Sequence, residues 1–257
     1  MEDYKGVIIN NLKAVGTLTP AEQRSRFKNA QYSLNTPYDV VIKNSVLGLN
    51  GYNCIEIGLA VGVQPPRSVT IEDCDFTGIL TNNAILVFGT QDNAVINIKR
   101  CHFKQVSNML RISNRTNASG VVINVVDCTV DACDEDPTWH AIFLWENYTD
   151  KNKEELDANN RFAPDKIRIN IDNLKVLQDG EYVPINVETM ADVTNTGNPG
   201  QLFVWCQDYM SGADFVPVFD PSKLPTVYID GVKVPDGETA PSVFGGAGGV
   251  IEEGEEF

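Results

Sequence analysis

The feature that most constrains this chain is a short motif that recurs along it. One copy, VTIEDCDF, runs from Val69 to Phe76. The consensus of the copies has eight successive positions. These are an apolar residue, any residue, Ile or Val, any residue, Asn or Asp, a small residue, any residue and a final apolar residue. The central Ile or Val of the copies falls at Ile9, Ile42, Ile71, Ile98, Val125, Ile171 and Ile229. The nearly even spacing of the first five copies predicts one structural unit repeated along an axis.

Each copy contains a slip in the alternation of apolar and polar residues. Val69 and Ile71 lie on one side of a strand, whereas strict alternation places Cys74 and Phe76 on the other side. Most residues at the slip are Asn, Asp or Gly, which adopt the left-handed backbone conformation at low cost. We therefore predict one-residue corners that return the next side chain to the interior. These corners are Asn11, Asn44, Asp73, Arg100, Asp127, Asn173 and Gly231.

The repeat predicts an all-β fold. Short strands that recur at nearly even intervals along the chain, with one-residue corners and no helices between them, are typical of a parallel β-solenoid. An antiparallel sandwich would need hairpin turns at intervals of about 8–12 residues. We expect about six to eight coils. The interval from Ile171 to Ile229 is twice the interval from Ile42 to Ile71, which predicts one degenerate coil near Leu202–Met210.

Stacked coils also predict the interior. Cys74, Cys101 and Cys128 are evenly spaced, and each follows its corner directly. Equivalent residues of neighbouring coils lie about 4.8 Å apart with parallel side-chain directions, which does not suit a disulfide. We predict buried, reduced thiols, and we expect Phe76 to stack on Phe103. The six cysteines contain no CxxC pair, so neither a metal site nor a cofactor is predicted.

The motif, with its Asn and Asp corners, resembles the right-handed parallel β-helix of the pectin-lyase-like superfamily over roughly residues 7–177. Within that architecture the chain resembles the β-helical structural proteins of tailed bacteriophages, which are head decorations, fibres and spikes. The resemblance implies a right-handed solenoid and a homo-oligomer, with a side-by-side trimer favoured. Because one fold hosts many functions, the resemblance by itself indicates fold more strongly than activity.

Three regions are predicted. Residues 1–177 form the β-helix domain, including a helix near residues 19–31 and an insertion at residues 131–165. The helix start is Thr19-Pro20-Ala21-Glu22, with Thr as the N-cap and Glu at the third position after it. Residues 178–242 form an irregular β extension that completes or caps the solenoid. Residues 243–257 form a flexible, Gly-rich, acidic tail.

The formal net charge of −15 argues against nucleic-acid partners, which require clustered Lys and Arg. It also argues against binding to anionic membranes. The first residues, MEDYK, lack the basic-then-apolar order of a signal peptide. We therefore expect synthesis in a host cytoplasm and assembly into a virion with other virion proteins.

Two segments contain candidate contact residues. Trp139, Trp145, Glu146 and Tyr148 combine aromatic rings with a carboxylate, as a glycan-binding or partner-binding surface does; the alternative is a surface loop that packs on the coils. Val250, Ile251 and Phe257 in the tail are candidates for docking on a neighbour, and the alternative is a disordered terminus.

The favoured function is therefore a non-enzymatic structural protein of a bacteriophage particle, most simply a capsid decoration, accessory or fibre-type protein. The first alternative is a carbohydrate-active enzyme, a polysaccharide lyase or glycoside hydrolase. Glu56, Glu72, Asp75 and Arg111 point outward by alternation, but they lie on different strands and predict no shared cluster, so no catalytic residue is assigned. A tailspike-like module that binds host glycans is the second alternative.

Overall fold

The computed structural model describes residues 6–19, 21–22, 32–48, 53–58, 63–132, 141–149, 162–195, 198–199, 202–209, 221–239 and 242–244. Within these residues the chain is a β-solenoid with almost no helix. The predictions of an all-β fold and of stacked parallel strands are confirmed.

The strands in chain order are β1 (Gly6–Asn10), β2 (Lys13–Val15), β3 (Tyr32–Leu34), β4 (Asp39–Lys43), β5 (Val46–Gly48), β6 (Ile55–Ile57), β7 (Ser68–Glu72), β8 (Asp75–Val87), β9 (Val95–Lys99), β10 (His102–Ile112), β11 (Val121–Val126), β12 (Thr129–Ala132), β13 (Ala141–Thr149), β14 (Ile167–Asp172), β15 (Lys175–Gln178), β16 (Glu181–Pro184), β17 (Thr194–Asn195), β18 (Asn198–Pro199), β19 (Phe203–Tyr209), β20 (Thr226–Ile229), β21 (Val232–Lys233) and β22 (Ser242–Phe244). Two short 3₁₀ helices lie at Met190–Asp192 and Pro221–Lys223.

The strands form three faces around one core. The first face has the order β1-β4-β7-β9-β11-β14-β20-β21. The second face follows the corner and contains β2, β5, the start of β8 and of β10, β12, β15 and β16. The third face contains β3, β6, the ends of β8 and β10, β13, β19 and β22. Strands β8 and β10 turn the edge between the second and third faces without a break in the strand.

The number of turns differs from the prediction. The solenoid has about four turns rather than six to eight. Strand β14 pairs directly with β20, so the long interval from Ile171 to Ile229 contains no hidden coil of the first face. The predicted degenerate coil near Leu202–Met210 instead contains β19, which pairs with β13 on the third face.

The residues predicted as corners have the left-handed backbone. Their φ angles are 56° at Asn11, 50° at Asn44, 53° at Asp73, 51° at Arg100, 53° at Asp127, 50° at Asn173 and 76° at Gly231. After each of the first six, the chain passes from the first face to the second. At Gly231 the outcome differs: Asp230 and Gly231 both have positive φ and form a tight hairpin turn, after which β21 runs antiparallel to β20.

Side chains stack inside the coils as predicted. The Phe76 and Phe103 ring centroids are 4.7 Å apart with an interplanar angle of 6°. Cys54, Cys74, Cys101 and Cys128 are buried and unoxidised. Burial raises the pKa of the Cys54 thiol, and hydrogen bonds with Cys128 and Cys74 raise the pKa of the Cys101 thiol. These four thiols therefore act as small packing groups.

The predicted N-terminal helix falls mostly outside the described residues. Its start is visible, because Ala21 and Glu22 are helical. The Thr19 backbone N–H donates to Glu22 Oε2 at 2.8 Å, and the Glu22 N–H donates to Thr19 Oγ1 at 3.4 Å. This reciprocal pair is a capping box. No helix in the described part of the chain is long and apolar enough to cross a membrane.

Candidate functional site

The outer side of the third face contains a buried ion pair, and strand β13 positions its carboxylate. Trp145 pairs with Ile112 across the sheet, so its ring points inward. It is fully buried, lies 5.8 Å from the Phe203 ring, and donates from Nε1 to the Thr239 carbonyl at 2.6 Å. The ring is therefore part of the hydrophobic core, and in this conformation it is not available to stack on a glycan.

Glu146, the next residue, points to the outer side of the same sheet. Arg111 Nη2 donates to Glu146 Oε1, and Ser113 Oγ donates to Glu146 Oε2. We call these three residues the Glu146 cluster. The Glu146 side chain is 1% exposed and that of Arg111 is 9% exposed. A charged pair on the outer side of a sheet normally faces water, so this burial is exceptional.

The register between strands β10 and β13 brings the three residues of the Glu146 cluster together. Arg111 on β10 is opposite Leu144 on β13, and Ile112 is opposite Trp145, so Ser113 comes next to Glu146. Alternation along the separate strands predicted no cluster for Arg111. Sequence reasoning missed the register: Asn108, at the start of NMLRIS, is opposite Ala141, and β13 contains no copy of the motif that would fix this alignment.

A second buried carboxylate, Glu56, lies on β6 of the same face. Asn53 Nδ2 donates to Glu56 Oε1 at 2.7 Å, and Ser33 Oγ donates to Oε2 at 3.2 Å. Burial raises the pKa of Glu56, and the hydrogen bonds from Asn53 and Ser33 and the charge of Arg115 offset part of the rise. The Arg115 guanidinium lies 4.2 Å above the Phe88 ring.

The corner row forms a separate polar surface. Arg100 donates from Nε to Asp73 Oδ1 at 2.7 Å and from Nη2 to Glu72 Oε2 at 3.4 Å, so it pairs with two acidic residues of the preceding coil. The Arg100 guanidinium holds the pKa of Asp73 below its usual range. A shallow groove beside this pair is lined by Asn44, Ser45, Val46, Asp73, Asp75, Arg100 and His102.

The charged side chains in and beside the groove pair with one another. Besides the Arg100 contacts, Lys104 Nζ lies 3.9 Å from Asp75 Oδ1, and His102 Nδ1 is 2.8 Å from Thr129 Oγ1. Among the described residues, no group of three or more His, Cys, Asp or Glu side chains is arranged to hold a metal ion.

Several predicted contact residues lie outside the described part of the chain. Trp139, Val250, Ile251 and Phe257 are among them, and for Tyr148 only its backbone position in β13 is described. Of the four candidate contact residues between 139 and 148, the structure therefore places the side chains of Trp145 and Glu146, both of them buried.

Comparisons of this chain with protein-family models, with curated proteins and with solved structures return no match.

Proposed function

We propose that this chain is a non-enzymatic structural protein of a bacteriophage particle, a capsid decoration, accessory or fibre-type protein that binds neighbouring virion subunits. The particle assignment rests on the resemblance of its repeat to the β-helical proteins of tailed phages. The same resemblance implies that the solenoid winds in the right-handed sense, which nearly all crossovers between parallel strands adopt. The chain would be made in the host cytoplasm and incorporated during assembly.

The proposal that the protein is not an enzyme is supported by the contacts of Glu146, whose carboxylate is already bound by neighbouring side chains. A catalytic acid or base must lie within hydrogen-bond reach of its substrate. Both oxygens of Glu146 instead accept hydrogen bonds from the sheet itself, and the side chain is 1% exposed. At the corner row, the Arg100 guanidinium in the groove likewise lies beside the Asp73 carboxylate, and Lys104 outside the groove lies beside Asp75. Rigid coils and satisfied charges suit a scaffold that presents a surface.

Quantitative mass spectrometry of purified particles of the virus that encodes this chain tests the proposal. We expect a fixed number of copies per particle, at a ratio to the major capsid or tail protein that survives density-gradient purification. Abundant protein in the infected-cell lysate together with its absence from the particles would reject the structural role.

The second candidate function is polysaccharide cleavage or glycan binding. The observation that favours it is the Glu146 cluster itself, because buried ionisable groups with a specific charge partner are found preferentially at functional sites. Incubation with bacterial and plant polysaccharides, followed by assays for new reducing ends and unsaturated uronates, tests this candidate. We expect no turnover. Turnover that Glu146→Gln abolishes, with the fold intact by circular dichroism, would replace the structural proposal.

A further inference from the structure

The N-terminal end of the solenoid exposes part of the core. One inward row of the first face consists of Val7, Val40, Val69, Ile96, Ile123, Ile169 and Val227. The last six are at most 1% exposed, whereas Val7 is 40% exposed. The adjoining outward residue Ile8 is 57% exposed. Strand β1 pairs with β4 alone among the described strands, so its other edge presents backbone donors and acceptors to a partner.

The C-terminal end is built differently, because the first and second faces end in hairpins, whereas the third face ends in the parallel strand β22. The Asp179-Gly180 turn leads β15 into antiparallel β16, and the Asp230-Gly231 turn leads β20 into antiparallel β21. Pro184 lies at the end of β16, where its ring supplies no N–H donor. Exposed acidic residues surround these hairpins: Asp179, Glu181, Asp230, Asp236 and Glu238. On these two faces the last strand runs antiparallel to its neighbour, so head-to-tail stacking of copies with continuous parallel pairing is disfavoured there.

Charge also distinguishes the two ends. The whole chain carries a formal charge of −15, so two copies repel each other over most of their surfaces. Residues 6–19, which contain the first two strands of the first coil, include Lys13 and no acidic residue. Two copies that meet through residues 6–19 therefore bring no acidic side chain of this segment close to another.

Strand β1 is also complementary to itself. In an antiparallel pair centred on Ile8, the residue Val7 of one copy lies opposite Ile9 of the other, and the short Gly6 lies opposite Asn10. The inward residues of both copies then face each other and cover the exposed core. Such a pairing is isologous, because the same surface serves both copies.

We propose that the occupant of the N-terminal end is a second copy of this chain, joined head to head about a twofold axis through antiparallel β1 strands. The inference deepens the proposed structural role and rests on it, since it names the self-contact of the scaffold. It replaces the side-by-side trimer that the phage resemblance favours. The end of a single coil is a small interface, so we expect a reversible, concentration-dependent dimer.

Sedimentation velocity over about 1 to 300 µM protein tests the dimer, a range in which modest interfaces dissociate. We expect the wild type to shift from monomer to dimer. Ile8→Lys places two ammonium groups opposite each other and should raise the dissociation constant about tenfold or more. The matched control is Val232→Lys, because Val232 is 56% exposed at the opposite end. This control should dimerise like the wild type.

An independent measurement uses Ile8→Cys. A cysteine at the centre of the antiparallel pair lies opposite its own copy, so mild oxidation should link two chains through it, whereas Val232→Cys should not cross-link. A monomer at all concentrations, a trimer, a dimer that Ile8→Lys leaves unchanged, or a dimer that Val232→Lys disrupts would each overturn the inference. None of these outcomes affects the presence of the protein in virions, so the proposed function and this inference fail separately.

Discussion

At the residue scale, the fold depends on side chains that tolerate a left-handed backbone. Asn173 has a φ of 50°. It also donates from Nδ2 to Asp127 Oδ1 on the neighbouring coil at 2.8 Å, and its backbone N–H donates to Asp230 Oδ1 at 2.8 Å. One residue therefore both bends the chain and links three coils. Asn and Asp are suited to this position because their short polar groups bond locally.

Asn173→Val should destabilise the protein by about 1–3 kcal/mol, because a β-branched side chain strains a left-handed corner. Asn173→Gly keeps the backbone conformation and loses only the side-chain contact, so it should cost less. Urea unfolding followed by circular dichroism gives both values. Equal losses in the two variants would show that corner geometry does not explain the choice of Asn.

Glu56 predicts a pH dependence. Its pKa is raised in the folded protein, chiefly by burial, so the folded state binds more protons than the unfolded state above the usual value of 4.5. The contribution of Glu56 to stability is therefore largest at low pH and is lost as the pH rises through the folded-state pKa. Glu56→Gln keeps an acceptor for Asn53 and carries no charge. Its stability relative to the wild type should increase between pH 5 and pH 7.5 in urea unfolding. A constant difference would contradict the assignment.

The corner residues were predictable because each corner depends on the local cost of a positive φ. The exception at the corner row, Arg100, was also predictable, since a cation between Glu72 and Asp73 has an obvious partner. The hairpin that ends the corner row was not predictable from the sequence. Asp230-Gly231 carries a standard hairpin signal, but the preceding strand fits the repeat motif equally well, and local sequence alone does not decide whether the chain advances or reverses.

At the scale of elements, the third face shows how much a one-residue register matters. The spacing of motif copies defines the first face, where each strand pairs with its equivalent. Strand β13 has no copy of the motif, and a shift of one residue exchanges its inner and outer residues. Only the observed pairing of Leu110 with Phe143 brings Glu146 beside Arg111 and places Trp145 in the core. This part of the candidate site was therefore beyond sequence reasoning.

The Glu146 cluster predicts strong non-additivity. Arg111→Met leaves a carboxylate that is 1% exposed without its ion-pair partner, and should cost about 3–5 kcal/mol. The double variant Arg111→Met/Glu146→Leu removes both charges and should recover most of that loss, because well-packed apolar residues often replace a buried pair at little cost. The two unfolding free energies, measured in the same buffer, give the comparison. Additive losses would show that the two side chains act independently.

At the scale of the whole molecule, the two ends give the solenoid a direction. At the C-terminal end two of the three faces stop parallel pairing through hairpins, while the N-terminal end keeps an open strand edge and exposed core residues. Stacked aromatic rings, thiols and amides make the body between them a rigid spacer. A virion component needs such a body together with a defined docking end, and this is the physical basis of the structural role that we propose.

The solenoid fold depends on the coil register, and excimer fluorescence of paired pyrene labels tests that register directly. Ser68 and Val95 are opposite each other on adjacent strands and point outward, so pyrenes on Ser68→Cys/Val95→Cys lie about 4.8 Å apart at the backbone. Ser68→Cys/Arg168→Cys, three strands apart, separates them by roughly 14 Å. In a background with Cys133 and Cys206 replaced by Ser, we predict strong excimer emission from the first pair and little from the second. Equal emission from both pairs, or emission from the second alone, would contradict the solenoid.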